Sequence, residues 1–395
     1  MAKAFADAGH HVQVVSVEWD QQDGQPKSWV EAECVKVLQC PARSLVDTGG
    51  RLGQLQKWTL VSVLAAQVAR QAKVDPQFDL VFVFGPAVVT HGLFRWATRK
   101  RSVRTFLYVT DFFPFHHQAI GLLPKGLIFE MARRAEQNLM RRFDVIGCMS
   151  PANAAYLRRN YRLREEQRIC QLPLWGPSEV VTSPDPLSIR RRFGVPVDRP
   201  LLVFGGQITE GRGIETLLEA AALLTDAPGK PHIVMIGQGR LTAQVQAYID
   251  SGGTSLTLLP PLPREDYLHF ASAADLGLIA TVENVDVPTF PSKTIDYLRA
   301  GLPILAAVEA TTDYGRIIEE AGYGRSVIAG SAPKLVAAAE ELLGDPDQLA
   351  RMRGAGRRAL EEVFNTERAV ERIIGECFGR DVEKQHMPDI GTYTV

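Results

Sequence analysis

Two basic residues stand where a helix would be better served by an acid. Lys293 opens the run Ser292-Lys-Thr-Ile-Asp-Tyr-Leu-Arg-Ala-Gly301, in which Ile295 and Leu298 share an apolar face and Gly301 ends the helix. Arg212 likewise precedes a helix whose apolar face is Ile214, Leu217, Leu218 and Ala221. Backbone amides at a helix N-terminus carry partial positive charge, so a cation there is unfavourable unless an anion joins it. With Gly205 and Gly206 allowing close backbone approach, the two segments have the residue types that hold a phosphate. Asp296, one turn into its helix, can accept hydrogen bonds from sugar hydroxyls; a helix-dipole carboxylate is its plainer role. Ser292 is expected to be the N-cap. Gly237 and Gly239 lack the third glycine and downstream acid of a dinucleotide fingerprint, and read first as a structural turn.

These residues need a scaffold, and the chain supplies short apolar runs alternating with amphipathic helical patterns, the signature of α/β domains with parallel sheets. The first half offers strands at 11–17, 34–38, 80–84, 105–109 and 145–149. The second half offers them at 201–204, 233–236, 256–259, 276–280, 304–307 and 326–329. A Pro, Ser and Gly-rich stretch from Leu174 to Pro186 separates the halves, placing a linker boundary near Val181. The expected organisation is a domain over 1–180, a second over 181–380 whose terminal helix packs back on the first, and a disordered tail over 381–395. At the start, residues 2–9 read as a helix closed by Gly9, with no strand before it. A doubly wound domain normally begins with a central strand, so the first strand of this domain is expected to be missing.

Composition narrows the function classes. Lysine and arginine (44) nearly balance aspartate and glutamate (45), so no whole-molecule field argues for nucleic acid as a partner. The five cysteines are scattered, without a CxxC or a Cys/His cluster, which argues against a disulfide framework and a structural zinc site and fits a reducing cytoplasm. No stretch reaches the roughly 18 apolar residues of a membrane span, and the N-terminus has no apolar leader core.

The run Pro291-Ser-Lys-Thr-Ile-Asp-Tyr-Leu-Arg-Ala-Gly-Leu-Pro303, with Phe204-Gly-Gly-Gln-Ile-Thr-Glu-Gly-Arg-Gly-Ile214 upstream, resembles the donor domain of the GT-B glycosyltransferases. Within these it is similar to the retaining family 4, also called group 1, and to its bacterial fucosamine-transferase-like branch. Ile236-Gly-Gln-Gly239, Ala273-Ala-Asp-Leu-Gly-Leu278 and the opening Ala2-Lys-Ala-Phe-Ala-Asp-Ala-Gly9 extend the likeness over nearly the whole chain. The resemblance implies two Rossmann-like doubly wound domains facing a central cleft. It also implies transfer of a sugar from a nucleotide diphosphate sugar, UDP ahead of GDP, to a hydroxyl acceptor. Configuration would be retained, with no metal and no cofactor. Such hexosyltransferase-like enzymes serve bacterial surface polysaccharide and lipopolysaccharide assembly.

By the same resemblance, Arg212 falls where the family commonly has a phosphate-binding lysine. Lys293 falls in the loop approaching the diphosphate, and Asp296 at the second glutamate of a paired-glutamate motif. Gly205, Gly206, Gln207, Gly237, Gly239, Pro291 and Ser292 complete the donor-binding set. The chain differs at Gln207, where many members carry arginine, at Pro288, where the first glutamate would be, and at Asp296, one methylene shorter than glutamate. In the first half, Thr105 to Gln118 is a strand opening into an aromatic loop similar to the family's Asp-aromatic-aromatic-Pro stretch. Asp111 and His116 are the catalytic candidates there, with His117, Glu136 and Ser150 on the acceptor side. Considered alone, Glu136 reads as a surface acid, Ser150 as an N-cap and the histidine pair as a solvated or packed loop. Basic runs at 94–106 and at Arg133, Arg134, Arg141 and Arg142 fit an enzyme resting on the anionic inner leaflet to reach a lipid-linked acceptor, although solvated helix faces explain single runs. Two rival readings share the architecture: a sugar-nucleotide epimerase, and a non-catalytic scaffold subunit.

Overall fold

The computed structural model describes residues 1–18, 25–41, 60–99, 103–183, 185–224 and 226–379; the expected tail over 381–395 and the middle of the 94–106 basic run lie outside them. The chain divides into two compact units, one of Met1–Pro173 with the segment from Thr366 onward, the other beginning at Leu174 and running to Asn365.

The first unit opens with α1 (Ala2–Asp7), closed by Gly9 at φ +86° with Gly9 N–H donating to Ala6 O and His10 N–H to Phe5 O, a left-handed cap that only glycine adopts without strain. Its strands are β1 (Val12–Glu18), β2 (Lys27–Ala32), β3 (Val35–Pro41), β4 (Leu80–Phe84), β5 (Arg104–Val109), β6 (Val145–Cys148) and β7 (Arg168–Gln171). They form a three-stranded sheet ordered β1-β3-β2 and a four-stranded parallel sheet ordered β4-β5-β6-β7. No ladder joins β1 to β4 among the described residues, yet Val15, Val17 and Val81 pack into one apolar cluster with Leu38, Ala65 and Trp96. Helices α2 (Val61–Gln71), α3 (Ala87–Ala97), α4 (Phe115–Ala119), α5 (Leu127–Met140) and α6 (Pro151–Asn160) complete the N-terminal part. Strands β2 and β7 carry no signal in the sequence: Lys27–Ala32 is almost wholly exposed, and Arg168–Gln171 is four residues preceded by a polar turn.

The second unit contains α7 (Pro186–Arg192), β8 (Leu201–Gly205), α8 (Ile214–Leu223), β9 (His232–Ile236), α9 (Thr242–Asp250), β10 (Leu256–Leu259), α10 (Arg264–Ser272), β11 (Leu276–Ala280), α11 (Lys293–Arg299), β12 (Ile304–Val308), α12 (Tyr314–Glu320), β13 (Gly324–Ile328), α13 (Ala332–Leu343) and α14 (Pro346–Glu362). All ladders are parallel, in the order β10-β9-β8-β11-β12-β13. Strands β8, β9, β11 and β12 are buried along their whole length, because helices cover both faces; this is why they read as continuous apolar runs. The direction of winding reverses between β8 and β11. In open α/β sheets the ligand crevice lies outside the carboxyl ends of the strands at such a reversal.

The units part between Pro173 and Leu174, upstream of Val181. The intervening segment is tied to the second unit: Gly176 N–H donates to Phe364 O, Val181 N–H to Arg299 O, and Arg299 Nε to Glu179 O. The last helix, α15 (Thr366–Phe378), packs on α1 and β5 within the first unit.

Candidate active site

The loops after β8 and β9 are laced together by backbone bonds, Gly206 N–H to Ile236 O, Ile208 N–H to Gln238 O and Leu241 N–H to Ile208 O, each 3.0 Å. A β-carbon at 237 would overlap the carbonyl of Gly206, and one at 239 the carbonyl of Ile208. Gly237 also sits at φ +153°. These two glycines are therefore required for the loops to meet, and their exposed edges line a cavity of about 680 Å³ at the carboxyl ends of β8, β9 and β10.

Gly206, Gln207, Arg240, Arg264, Tyr267, Lys293 and Asp296 share that lining. Asp296, its side chain only 11% exposed, faces two cations: Arg264 donates to Oδ1 at 2.7 Å and Lys293 to Oδ2 at 3.3 Å. The Lys293 ammonium also lies 4.6 Å from the centroid of the Tyr267 ring, whose face attracts a cation. The cavity thus presents positive charge held in place by one carboxylate and one aromatic face. The loop leading to α11 is anchored from β12's end, where buried Glu309 accepts from Thr289 N–H at 2.8 Å and Thr289 Oγ1 at 2.7 Å.

The sequence-derived residues are distributed unevenly around this cavity. Gly206, Gln207, Gly237, Gly239, Lys293 and Asp296 line it; Gly205, Arg212, Pro291 and Ser292 do not. Gly205 lies buried under Tyr267, where any side chain would collide with the phenol, and its N–H donates to Tyr297 Oη. Arg212 is exposed on the turn before α8. Pro291 contributes a carbonyl that accepts from Thr294 Oγ1 at 2.7 Å. Ser292 occupies the N-cap position without making the expected side-chain bond: its φ of −65° and ψ of −22° are already helical, whereas a capping side chain reaches its amide from an extended backbone.

In the first unit the end of β5 and α4 bring Asp111, His116 and His117 together, with His116 Nδ1 at 3.3 Å from Asp111 Oδ1 and His117 Nδ1 at 3.5 Å from Oδ2. Phe112 and Phe113 between them are buried, and Tyr161 Oη donates to Phe113 O at 2.7 Å.

With this geometry, comparison with known proteins is decisive. Residues 1–175 match the family model described as a glycosyl transferase 4-like domain, and residues 187–359 match that of the glycosyl transferases group 1. The chain belongs to the group 1 glycosyltransferases. It is 22% identical, over 96% of its length and 94% of the relative's, to a protein of Escherichia coli K12 named as a colanic acid biosynthesis glycosyl transferase, WcaI. Sucrose-phosphate synthase from Thermosynechococcus elongatus shares the fold with a TM-score of 0.71 at 18% identity, covering 94% of this chain and 89% of that one. HepE from Anabaena, solved in complex with UDP-glucose, does so with a TM-score of 0.65 at 15% identity, covering 92% and 98%. The two-domain α/β architecture expected of a GT-B enzyme is the one present.

Of the acceptor-side candidates in this glycosyltransferase, Glu136 corrects the reading as a surface acid and Ser150 agrees with the reading as an N-cap. Glu136 is not a surface acid: it is buried, and its two carboxylate oxygens accept from Ala87 N–H and Val88 N–H at 2.7 Å, capping α3. Ser150 is the N-cap of α6, accepting from Asn153 N–H at 3.3 Å, and is fully buried. Arg240, Arg264 and Tyr267 were missed. Arg264 opens α10 as Lys293 opens α11, so the same argument from a cation at a helix start would have found it.

Burial pushes Glu136 up to about 7 against the pull of its two amide donors, with the charge of Asp111 adding to the rise. The folded-state value lies above the ordinary 4.5, so the folded protein holds a proton that the unfolded chain releases. Stability from this group is fully present below about pH 4.5 and is lost as the pH climbs to 7, a change of roughly 3 kcal/mol. Urea unfolding at pH 5 and pH 7.5 is expected to show that loss in the native protein and not in Glu136→Gln, which cannot titrate; equal pH slopes would contradict it.

No helix among the described residues is long and apolar enough to cross a membrane.

Proposed function

We propose that this glycosyltransferase moves a sugar from a UDP-sugar to a hydroxyl acceptor in the assembly of a bacterial surface polysaccharide, with retention of configuration. The observation that carries the reading is the cationic cavity at the sheet's reversal, where Lys293 and Arg264 flank Asp296 beside two glycine loops. A diphosphate fits the charge, and the loop backbone allows its close approach. HepE, solved with UDP-glucose, and the colanic acid assignment of WcaI support donor class and pathway type.

Cleavage of the sugar-phosphate bond leaves negative charge on the departing diphosphate. Lys293 and Arg264 are placed to stabilise it without a metal at that phosphate, Arg212 adds a cation on the turn before α8, and Asp296 holds the first two in register. In the proposed front-face reaction the departing phosphate oxygen takes the acceptor's hydroxyl proton while Asp111, His116 and His117 serve the acceptor. The test is a screen of UDP- and GDP-sugars with lipid extract as acceptor, reading nucleoside diphosphate released. UDP release that depends on acceptor is expected. Epimerised sugar nucleotide formed without acceptor, or no nucleotide binding by the folded protein, would overturn the reading.

We further propose peripheral docking on an anionic bilayer, supported by the start of α5. There Leu127, Ile128 and Met131 are 77, 59 and 63% exposed, beside Lys125 and the exposed Arg134. Glu130 pairs with both arginines of this turn, Arg133 at 2.9 Å and Arg134 at 3.9 Å. An apolar patch rimmed by cations suits a headgroup boundary. Flotation with phosphatidylglycerol vesicles should carry the protein upward, and Leu127→Asp with Ile128→Asp should leave it at the bottom; equal flotation of both would sink the proposal.

A further inference from the structure

We propose that Asp111, His116 and His117 form a binding site for one divalent transition ion of the zinc class, contrary to the sequence expectation of no metal. One ligand atom from each residue lies within 4.8 Å of the others. Both imidazoles turn the same atom, Nδ1, toward one carboxylate, at 3.3 Å from Oδ1 and 3.5 Å from Oδ2, with the two rings perpendicular. An ion with bonds of about 2.0–2.1 Å asks for roughly 3.3 Å between ligand atoms, and each imidazole stands near that separation from one oxygen of the shared carboxylate.

The donor set points to the ion class. Two imidazoles and a carboxylate suit zinc or iron(II), whereas magnesium and calcium select oxygen alone. The frame is rigid: Phe112 and Phe113 are 3 and 2% exposed, Tyr161 Oη holds the Phe113 carbonyl, and the Phe113 ring stands edge-on to His117 at 5.2 Å between centroids. The three side chains are themselves 24 to 28% exposed, so an ion can enter and would keep a coordination position for water or a ligand oxygen. The site lies in the first compact unit, while the nucleotide cavity belongs to the second; ion binding stands or falls separately from the donor chemistry.

The experiment uses the tag-free full chain, stripped with EDTA and titrated with Co²⁺. One equivalent is expected to bind, with the visible absorption of a tetrahedral or five-coordinate centre, and Zn²⁺ should displace it. His116→Ala and His117→Ala should each weaken binding at least about 10-fold. Asp111→Asn, nearly isosteric, guards against loss of fold, which thermal melts of each variant check directly. His10→Ala with His11→Ala, a second adjacent pair, should bind as the native chain does. Absence of a cobalt spectrum in the native chain, undiminished binding in folded His116→Ala and His117→Ala, or equal competition by Mg²⁺ would overturn the proposal.

Discussion

Replacing Lys293 by alanine is expected to lower turnover by about 10²-fold or more, the scale for removing one preorganised charge-stabilising donor. The ammonium does not hang free. It is fixed between the Tyr267 face and Asp296, so its position costs no reorganisation when charge develops on the departing phosphate. Lys293→Ala also leaves Asp296 paired with Arg264, and the site then presents less net positive charge to the donor. The loss should fall on kcat more than on KM, since the interaction strengthens as the sugar-phosphate bond breaks. Arg212→Ala tests the second cation identified from sequence, and a fall of similar order is expected. Steady-state kinetics with the best donor of the screen measures both; unchanged turnover in Lys293→Ala would remove the assignment of this cavity to the donor, and unchanged turnover in Arg212→Ala would remove Arg212, which lies outside the cavity lining, from the donor site.

The second large effect is on stability. Gly237→Ala would place a methyl group on the Gly206 carbonyl, and it would do so at a φ of +153° that other residues rarely adopt. Neither loop can yield easily, because three backbone hydrogen bonds hold them together. Overpacking and backbone strain together should cost about 3 kcal/mol, or roughly 6–12 °C in the melting of a unit this size. Gly252→Ala is the comparison. Gly252 also has positive φ, at +98°, but nothing lies near the added carbon, so only the strain of about 1–2 kcal/mol is expected. Differential scanning calorimetry distinguishes the two; equal losses would mean that the close approach of the loops contributes nothing. Nucleotide affinity should fall in Gly237→Ala and hold in Gly252→Ala.

Much of the second unit was legible before its structure. Strands 256–259 and 276–280 coincide with β10 and β11; β11 is buried along its whole length, and a parallel strand covered on both faces must be written in continuous apolar residues. Lys293 stood out because a cation in the first turn of a helix opposes the helix dipole, and the structure sets it on the cavity lining beside Asp296. Strands β2 and β7 were not legible, since pairing rather than composition makes them strands. Glu136 was misread for a related reason. Its neighbours Arg133, Arg134, Gln137 and Asn138 are those of a solvated helix face, and its partners are backbone amides at 87 and 88, which carry no residue signature.

The sequence by itself determined the class of fold, the family, and which loops carry charge at helix starts, because each of these follows from local pattern: apolar runs, glycine spacing, a cation where an acid belongs. Only the tertiary structure decided which charges meet. Asp296 finds Arg264 across 32 residues, Tyr267 places its ring against Lys293, and Gly237 must be glycine because another loop's carbonyl lies against it. Those outcomes depend on distances between segments remote in sequence, and such distances are set by how the whole sheet packs its helices.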